Sequence, residues 1–173
     1  MVKRNNHYDV AFEEYLRGTC TPYVAVDEQR RARLADASLK SMDFIVTSRR
    51  FQNLLVDVKG RRFPSGGDGT GVGHKWENWA TEDDIRSLLR WQQVFGNGFR
   101  SMLLFAYEIV DARFTRELGQ PFTHHGRLYS FFGVWADQYH LAMHTRSPSW
   151  ETVSLHSRNY RDLRIPISEL LEC

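Results

Sequence analysis

Two acidic residues and a lysine lie at corresponding places on two neighbouring apolar runs of this sequence. Asp57 and Lys59 end the run 54–59, and because alternate residues of a strand share a face, their side chains project the same way. If residues 47–53 form a simple hairpin, Asp43 lies opposite Asp57. Two carboxylates so close repel each other unless a cation joins them, and carboxylate oxygens suit Mg²⁺. With a lysine to stabilise developing negative charge, the set suits metal-assisted hydrolysis of a phosphodiester.

A solvated ion pair is the competing interpretation of these residues. For Asp57 and Lys59 alone, an exposed pair at the end of a strand is the more frequent explanation. The presence of Asp43 at the matching position of the other strand reverses that preference. Both runs are otherwise strongly apolar, and an acid inside such a run requires a functional or structural explanation. We therefore predict an active site of Asp43, Asp57 and Lys59, with the two acids as metal ligands.

The first predicted helix offers a third carboxylate. Asn6 can cap this helix and Gly18 follows its last turn. Asp9 borders the apolar face of the helix, whereas Glu13 lies farther round. A carboxylate in the first turn also stabilises a helix start, so a purely structural role for Asp9 is an equal alternative. Both acids are candidates for completing the site, and Asp9 is the candidate metal ligand.

The second predicted helix, capped by Thr81 and ended by Gly96, places Gln92 within its buried stripe. A buried amide must find hydrogen bonds. Gln92 could orient a water molecule or the lysine at the site. Capping a neighbouring backbone group is the alternative, and on its own it is slightly more frequent.

The elements that would position these residues alternate between helix and strand. The glycine-rich segment 60–79 is predicted to be a mobile loop. We expect one α/β domain over residues 1–173, with a core at about 7–107 and an extension at about 108–173. The predicted strands are 23–26, 41–46, 54–59, 102–107, 128–136 and 152–155, and the later helices are 137–144 and a short C-terminal one capped by Ser168.

The order of these elements resembles the core of the PD-(D/E)XK nuclease superfamily, which includes restriction endonucleases and archaeal Holliday-junction resolvases. Asp43 matches the acid of the first motif strand, and Asp57 and Lys59 match the acid and lysine of the second. The resemblance implies a restriction-endonuclease-like αβββαβ core, in which a mixed central sheet is flanked by helices. Some relatives place a glutamine on the helix after the lysine, which Gln92 could match.

The sequence departs from this pattern in two places. Resolvase-like members carry a helix-one glutamate at a spacing that reaches Asp9 here, which is a shorter carboxylate. Met42 replaces the proline that precedes the first acid. The opening run 7–13 is also similar to the signature of an uncharacterised family named for its HYExAFE opening, a name that carries no activity.

Composition leaves a nucleic-acid partner undecided. The net charge is only +2, but 19 of the 23 basic residues are arginine, whose planar guanidinium suits phosphate. A GC-rich genome would give the same bias. Two cysteines exclude a disulfide framework and a cysteine-based zinc site. No run approaches the ~18 apolar residues of a membrane helix and no apolar signal core is present, so we expect a cytoplasmic protein without a membrane partner.

Two functions fit these features. The first is an Mg²⁺-dependent endonuclease acting on DNA, branched or damaged DNA included, with Mn²⁺ able to substitute for Mg²⁺. The second is a non-catalytic nucleic-acid-binding or structural protein that keeps the nuclease fold. The sequence leaves a homodimer open. The arginines expected to neutralise phosphates are Arg30, Arg31, Arg33, Arg49, Arg50, Arg61 and Arg62.

Overall fold

A computed structural model describes residues 6–27, 32–34, 37–49, 52–65 and 76–171. The helices in these parts are α1 (His7–Gly18), α2 (Glu82–Phe95), α3 (Ala136–Ala142), α4 (Ser157–Leu163) and α5 (Ile167–Leu171), with a 3₁₀ turn at Ala112–Phe114. The strands are β1 (Tyr23–Ala25), β2 (Ala32–Leu34), β3 (Ala37–Leu39), β4 (Phe44–Val46), β5 (Asn53–Phe63), β6 (Ala80–Thr81), β7 (Phe99–Ile109), β8 (Phe122–His124), β9 (Arg127–Trp135), β10 (His144–Ser147), β11 (Thr152–Ser154) and β12 (Ile165–Pro166).

The central sheet is mixed and runs in the order β1-β4-β5-β7-β9-β12, with β8 paired to β9. Strands β5 and β7 are parallel, whereas β4 is antiparallel to β5 and β9 is antiparallel to β7. The parallel pair is joined by α2, as a parallel connection requires. The predicted mixed α/β fold, with its central sheet between helices, is confirmed.

Helices cover both faces of this sheet. Phe12 and Leu16 of α1 pack with Val56 and other even-numbered residues of β5. Ile85 and Leu88 of α2 pack on the opposite face. Burial on both faces explains why the central strands lack polar alternation. Because side chains alternate along β5, Asp57 and Lys59 face α2 rather than α1.

Both long helices begin at the residues that the sequence marks. The Asn6 side chain accepts a hydrogen bond from Tyr8 N, which confirms it as the cap of α1. At α2 the Thr81 hydroxyl accepts from Asp84 N, and the Asp84 carboxylate accepts from Thr81 N in return. This is a capping box, and α2 ends at Gly96 as predicted. Gly18 is the last residue of α1 rather than the one after it.

Several boundaries differ from the sequence predictions. The predicted loop start at Gly60 is wrong, because β5 pairs with β7 along its whole length and continues to Phe63. The remainder of that predicted loop, residues 66–75, lies outside the described residues. The paired strands β2 and β3 and the helix α4 were missed because three-residue strands and a seven-residue helix carry too little periodicity to stand out. Within the described parts, no helix is long and apolar enough to cross a membrane.

Candidate active site

The two predicted acids meet across β4 and β5. Strands β4 and β5 pair from Val46 with Leu54 to Phe44 with Val56, and Asp43 and Asp57 are the next residues beyond this last pair. Asp43 is 3% exposed, and its backbone amide donates to Val56 O at 2.9 Å. Its carboxylate oxygen Oδ2 accepts a hydrogen bond from Val58 N at 2.6 Å. The Asp57 carboxyl group is in turn hydrogen-bonded with Asp43. The structure therefore brings the two carboxyl groups together on the face covered by α2.

Lys59 lies between two acids. Its ammonium Nζ is 2.9 Å from Asp57 Oδ2 and 3.1 Å from Asp84 Oδ2. The other oxygen of Asp84 is 2.8 Å from Nζ of Lys40, which also donates to the Thr81 hydroxyl at 3.2 Å. The side chains of Lys59, Asp57 and Asp84 are 18%, 14% and 6% exposed, so this chain of ion pairs is largely shielded from water.

Sequence reasoning missed Asp84 and Lys40. The pattern Thr81-x-x-Asp84 before an apolar run is a visible capping-box signal. That signal locates a helix start, and nothing local indicates that the same carboxylate reaches the lysine of β5.

Burial and neighbouring charges shift the pKa values of this cluster in different directions. Burial raises the pKa of Asp57, and the nearby Lys59 ammonium only partly opposes it. Burial would lower the pKa of Lys59, but the adjacent carboxylates of Asp57 and Asp84 outweigh it and raise that pKa. Burial also acts to raise the pKa of Asp84, yet Lys59, Lys40 and the Thr81 amide together lower it to about 2. At neutral pH, Lys59 is therefore a cation and Asp84 an anion.

The two helix-one acids occupy different surroundings. Asp9 is 2% exposed in the first turn of α1, the helix on the face of the sheet opposite Lys59. The Glu13 carboxylate accepts hydrogen bonds from the Tyr23 hydroxyl at 2.8 Å and from Arg17 at 3.1 Å. The pairing of β5 with β4 ends at Val56, and beyond it β5 has only β7 as a neighbour among the described residues. An acid of α1 would therefore have to reach the cluster around this open edge of β5.

The Gln92 side chain is hydrogen-bonded to Ser101 rather than to a residue of the cluster. Its amide oxygen accepts hydrogen bonds from the backbone amide and the hydroxyl of Ser101, at 2.8 Å and 3.0 Å. Ser101 is near the start of β7 and pairs with Leu55, before β5 reaches Asp57. Gln92 therefore caps a backbone group of the sheet, the alternative role recognised from the sequence.

The arginines predicted to bind phosphate differ in their exposure to solvent. Arg61 is 8% exposed and donates hydrogen bonds to the carbonyl oxygens of Gly60 and Trp79, with its guanidinium 4.0 Å above the Trp79 ring. It therefore holds the segment 76–79 against β5 instead of facing solvent. Arg62 and Arg49 are exposed. Arg30, Arg31, Arg50 and the Arg33 side chain lie outside what the structure describes.

The donor set at Asp43 and Asp57 is compatible with Mg²⁺. No group of three or more His, Cys, Asp or Glu side chains in the described ranges is arranged to hold a metal ion. However, Mg²⁺ is commonly bound through only one or two carboxylates, with water and substrate phosphate completing its shell. Asp43 and Asp57 provide such a pair, so the chemistry of these two residues fits the ion.

The fold matches that of a solved archaeal protein. It resembles Hjc, a Holliday junction resolvase from the hyperthermophile Archaeoglobus fulgidus, with a TM-score of 0.54 over 95% of this chain and 98% of that one. The two sequences are 12% identical, so the likeness shows the fold alone. No protein-family model and no curated protein sequence matches this chain. The similarity of its opening to the HYExAFE family therefore stays a prediction.

Proposed function

We propose that this protein is a divalent-metal-dependent endonuclease that hydrolyses phosphodiester bonds in DNA, branched DNA included. The observation that carries the proposal is the hydrogen-bonded contact between the Asp43 and Asp57 carboxyl groups beside the Lys59 ammonium, on a largely buried face of the sheet. The fold it shares with a Holliday junction resolvase supports DNA as the substrate class. The exposed Arg62, three residues after Lys59, provides positive charge for a DNA backbone. A homodimer remains a prediction.

In the proposed reaction, Asp43 and Asp57 would hold Mg²⁺, for which Mn²⁺ can substitute. When bound there, Mg²⁺ supplies a water of lowered pKa and polarises the phosphoryl group. Val58 N keeps the Asp43 carboxylate turned toward Asp57 by its hydrogen bond. These contacts orient both acids before substrate arrives, which lowers the cost of organising the site during the reaction.

Lys59 would stabilise the negative charge that develops on the phosphoryl oxygens. An ammonium has three N–H donors, and among the described residues the acceptors of Lys59 are Asp57 and Asp84. One donor is therefore left for a phosphate oxygen. Because neighbouring carboxylates raise the pKa of Lys59, it stays charged across the pH range in which the acids are ionised.

The second candidate function is non-catalytic nucleic-acid binding on the same fold. The observation that favours it is the lack, among the described residues, of a third acid grouped with Asp43 and Asp57 as a metal ligand. In that case Lys59 would serve only to neutralise Asp57 and Asp84.

A cleavage assay distinguishes the two functions. Purified protein is incubated with duplex, single-stranded and four-way-junction DNA in the presence of Mg²⁺, Mn²⁺ or a chelator. We expect cleavage that requires the metal and falls by about a hundredfold or more in Asp57→Ala. Asp83→Ala is the matched control, because Asp83 is an acid on α2 that pairs with Arg86 instead of with the cluster. Intact DNA in every condition, or equal cleavage by Asp57→Ala, would favour the non-catalytic function.

A further inference from the structure

We infer that Asp84 is a positioning residue, which holds the Lys59 ammonium beside Asp57 from the opposite side of the site. Its catalytic consequence rests on the proposed nuclease function, whereas its effect on Lys59 does not. Asp84 belongs to α2, whereas Asp57 and Lys59 belong to β5 and Asp43 directly precedes β4. Asp84 is therefore the group through which the helix fixes the position of the lysine.

The contacts of Asp84 are divided between its two oxygens. Oδ2 lies 3.1 Å from Lys59 Nζ and accepts from Thr81 N at 2.9 Å. Oδ1 lies 2.8 Å from Lys40 Nζ. The carboxylate is thus fixed by a backbone amide and two ammonium groups, and its side chain is only 6% exposed. Because three contacts fix the Asp84 carboxylate, its ion pair with Lys59 keeps the ammonium group close to Asp57.

The backbone of Lys40 is itself hydrogen-bonded to side chains of α2, which restricts the movement of this residue relative to Asp84. The Lys40 backbone amide donates to the Ser87 hydroxyl at 3.0 Å, and its carbonyl oxygen accepts from the Trp91 indole at 2.7 Å. The segment before β4 is therefore attached to the same helix that carries Asp84. These contacts set the distance between α2 and β5, and through it the place of Lys59.

Helix capping alone does not account for the charge of Asp84. The capping box needs a side-chain acceptor for Thr81 N, and an amide oxygen provides one as well as a carboxylate does. The two ammonium groups, in contrast, require a charged acceptor for strong hydrogen bonds. Asp84→Asn therefore separates the two roles, because it keeps the capping acceptor and removes the charge that Lys59 and Lys40 contact.

The first test reads the Lys59 ammonium directly. The chain has four lysines (residues 3, 40, 59 and 75), so selective ¹⁵N labelling of lysine gives a simple NMR spectrum of ammonium groups. We expect a slowly exchanging signal in the parent protein, assigned to Lys59 by its absence in Lys59→Arg. In Asp84→Asn its exchange with water should accelerate by about tenfold or more, as expected when one charge-assisted hydrogen bond is lost. Asp83→Asn is the control and should leave the signal unchanged, since Asp83 pairs with Arg86.

The second test uses DNA cleavage. A lysine that acts only on the transition state affects kcat and kcat/KM equally. We therefore expect Asp84→Asn to lower kcat by roughly 10- to 100-fold with KM close to the parental value, the size of effect that misplacing a catalytic group produces. Asp83→Asn should change neither constant.

The outcomes separate this inference from the proposed function. If the parent cuts no DNA, the nuclease proposal fails while the NMR signal still decides the role of Asp84. If the Lys59 ammonium of folded Asp84→Asn exchanges with water at the same rate as in the parent protein, the inference is overturned, because Asp57 alone would then hold the lysine. If Asp84→Asn does not fold, Asp84→Gln replaces it, since glutamine is a common partner in capping boxes.

Discussion

The carboxylate of Asp43 accepts a hydrogen bond from the backbone amide of Val58 at 2.6 Å, beside the first residue of β4. In the described residues β5 continues past this point with only β7 as a neighbour. The side chain of Asp43 thus takes the place that another residue of β4 would fill. One contact satisfies a buried amide at the edge of the strand and turns the acid toward Asp57.

This contact predicts different effects for two substitutions of Asp43. Asp43→Asn keeps an oxygen for Val58 N, so its free energy of unfolding should stay within about 1 kcal/mol of the parental value. Asp43→Ala leaves the amide without its acceptor and should cost about 1–3 kcal/mol. Both variants should lose metal-dependent cleavage. Urea denaturation measures the stabilities, and equal stability of the two variants would show that the contact is dispensable.

A side chain at Gly60 is predicted to be unfavourable because the Tyr8 ring lies against this residue. A Cβ at Gly60 would be 2.0 Å from the nearest atom of that ring. Gly60→Ala should therefore push the first turn of α1 away from β5 and cost about 1–3 kcal/mol in unfolding free energy. Gly18→Ala, with no atom within 4 Å of its added Cβ, is the control and should be neutral or stabilising. A Tyr8→Ala background should remove most of the cost of Gly60→Ala, and an unchanged cost there would contradict the proposed clash.

Adjacent arginines on β5 should have different roles. Arg61→Ala removes two hydrogen bonds to backbone carbonyls and the stacking on Trp79, so it should cost about 2–3 kcal/mol of stability. Arg62→Ala should leave stability unchanged, weaken DNA binding and reduce the slope of log affinity against log salt by about 1. Fluorescence anisotropy at several salt concentrations checks the second effect. A parental salt slope in Arg62→Ala would mean that Arg62 does not contact phosphate.

Acid should weaken the contribution of Asp84 to stability. Its pKa is lowered from 3.8 in the unfolded chain to about 2 in the fold, so the contribution is complete above 3.8 and is lost as the pH falls through about 2. For this buried carboxylate the shift corresponds to about 2 kcal/mol at neutral pH. The difference in unfolding free energy between parent and Asp84→Asn should shrink over that interval. Urea denaturation at successively lower pH tests it, and a constant difference would refute it.

Metal binding should distinguish the two helix-one acids. Glu13 is engaged by Tyr23 and Arg17, so Glu13→Gln should leave Mn²⁺ affinity close to parental. Asp9 lies in the turn of α1 that follows Tyr8, and the Tyr8 ring contacts Gly60 next to Lys59. We therefore propose that Asp9→Asn weakens Mn²⁺ binding more than Glu13→Gln does. Calorimetric titration decides, and parental affinity in Asp9→Asn would leave Asp9 with only its role at the helix start.

The sequence alone predicted the features that depend on neighbouring residues along the chain. The two-residue period of a strand places Asp57 and Lys59 on one face, and the register predicted for the two strands agrees with the pairing of Phe44 with Val56. The caps of α1 and α2 are likewise local, because a capping side chain contacts an amide two or three residues away. Fold class followed from the order of such elements, since that order restricts how helices can cover a sheet.

The tertiary structure alone decided which side chains from distant segments meet. Lys40 reaches Asp84 across 44 positions of the chain. The Ser101 amide donates a hydrogen bond to the Gln92 side chain, for which the sequence also offered a place at the site. Arg61 is buried against Trp79, although the sequence marks it as one more basic residue after the strand. Such contacts depend on which face of α2 packs on which face of the sheet and at what distance. Local periodicity shows that a helix has a buried face, but only the packed structure shows which residues lie opposite that face.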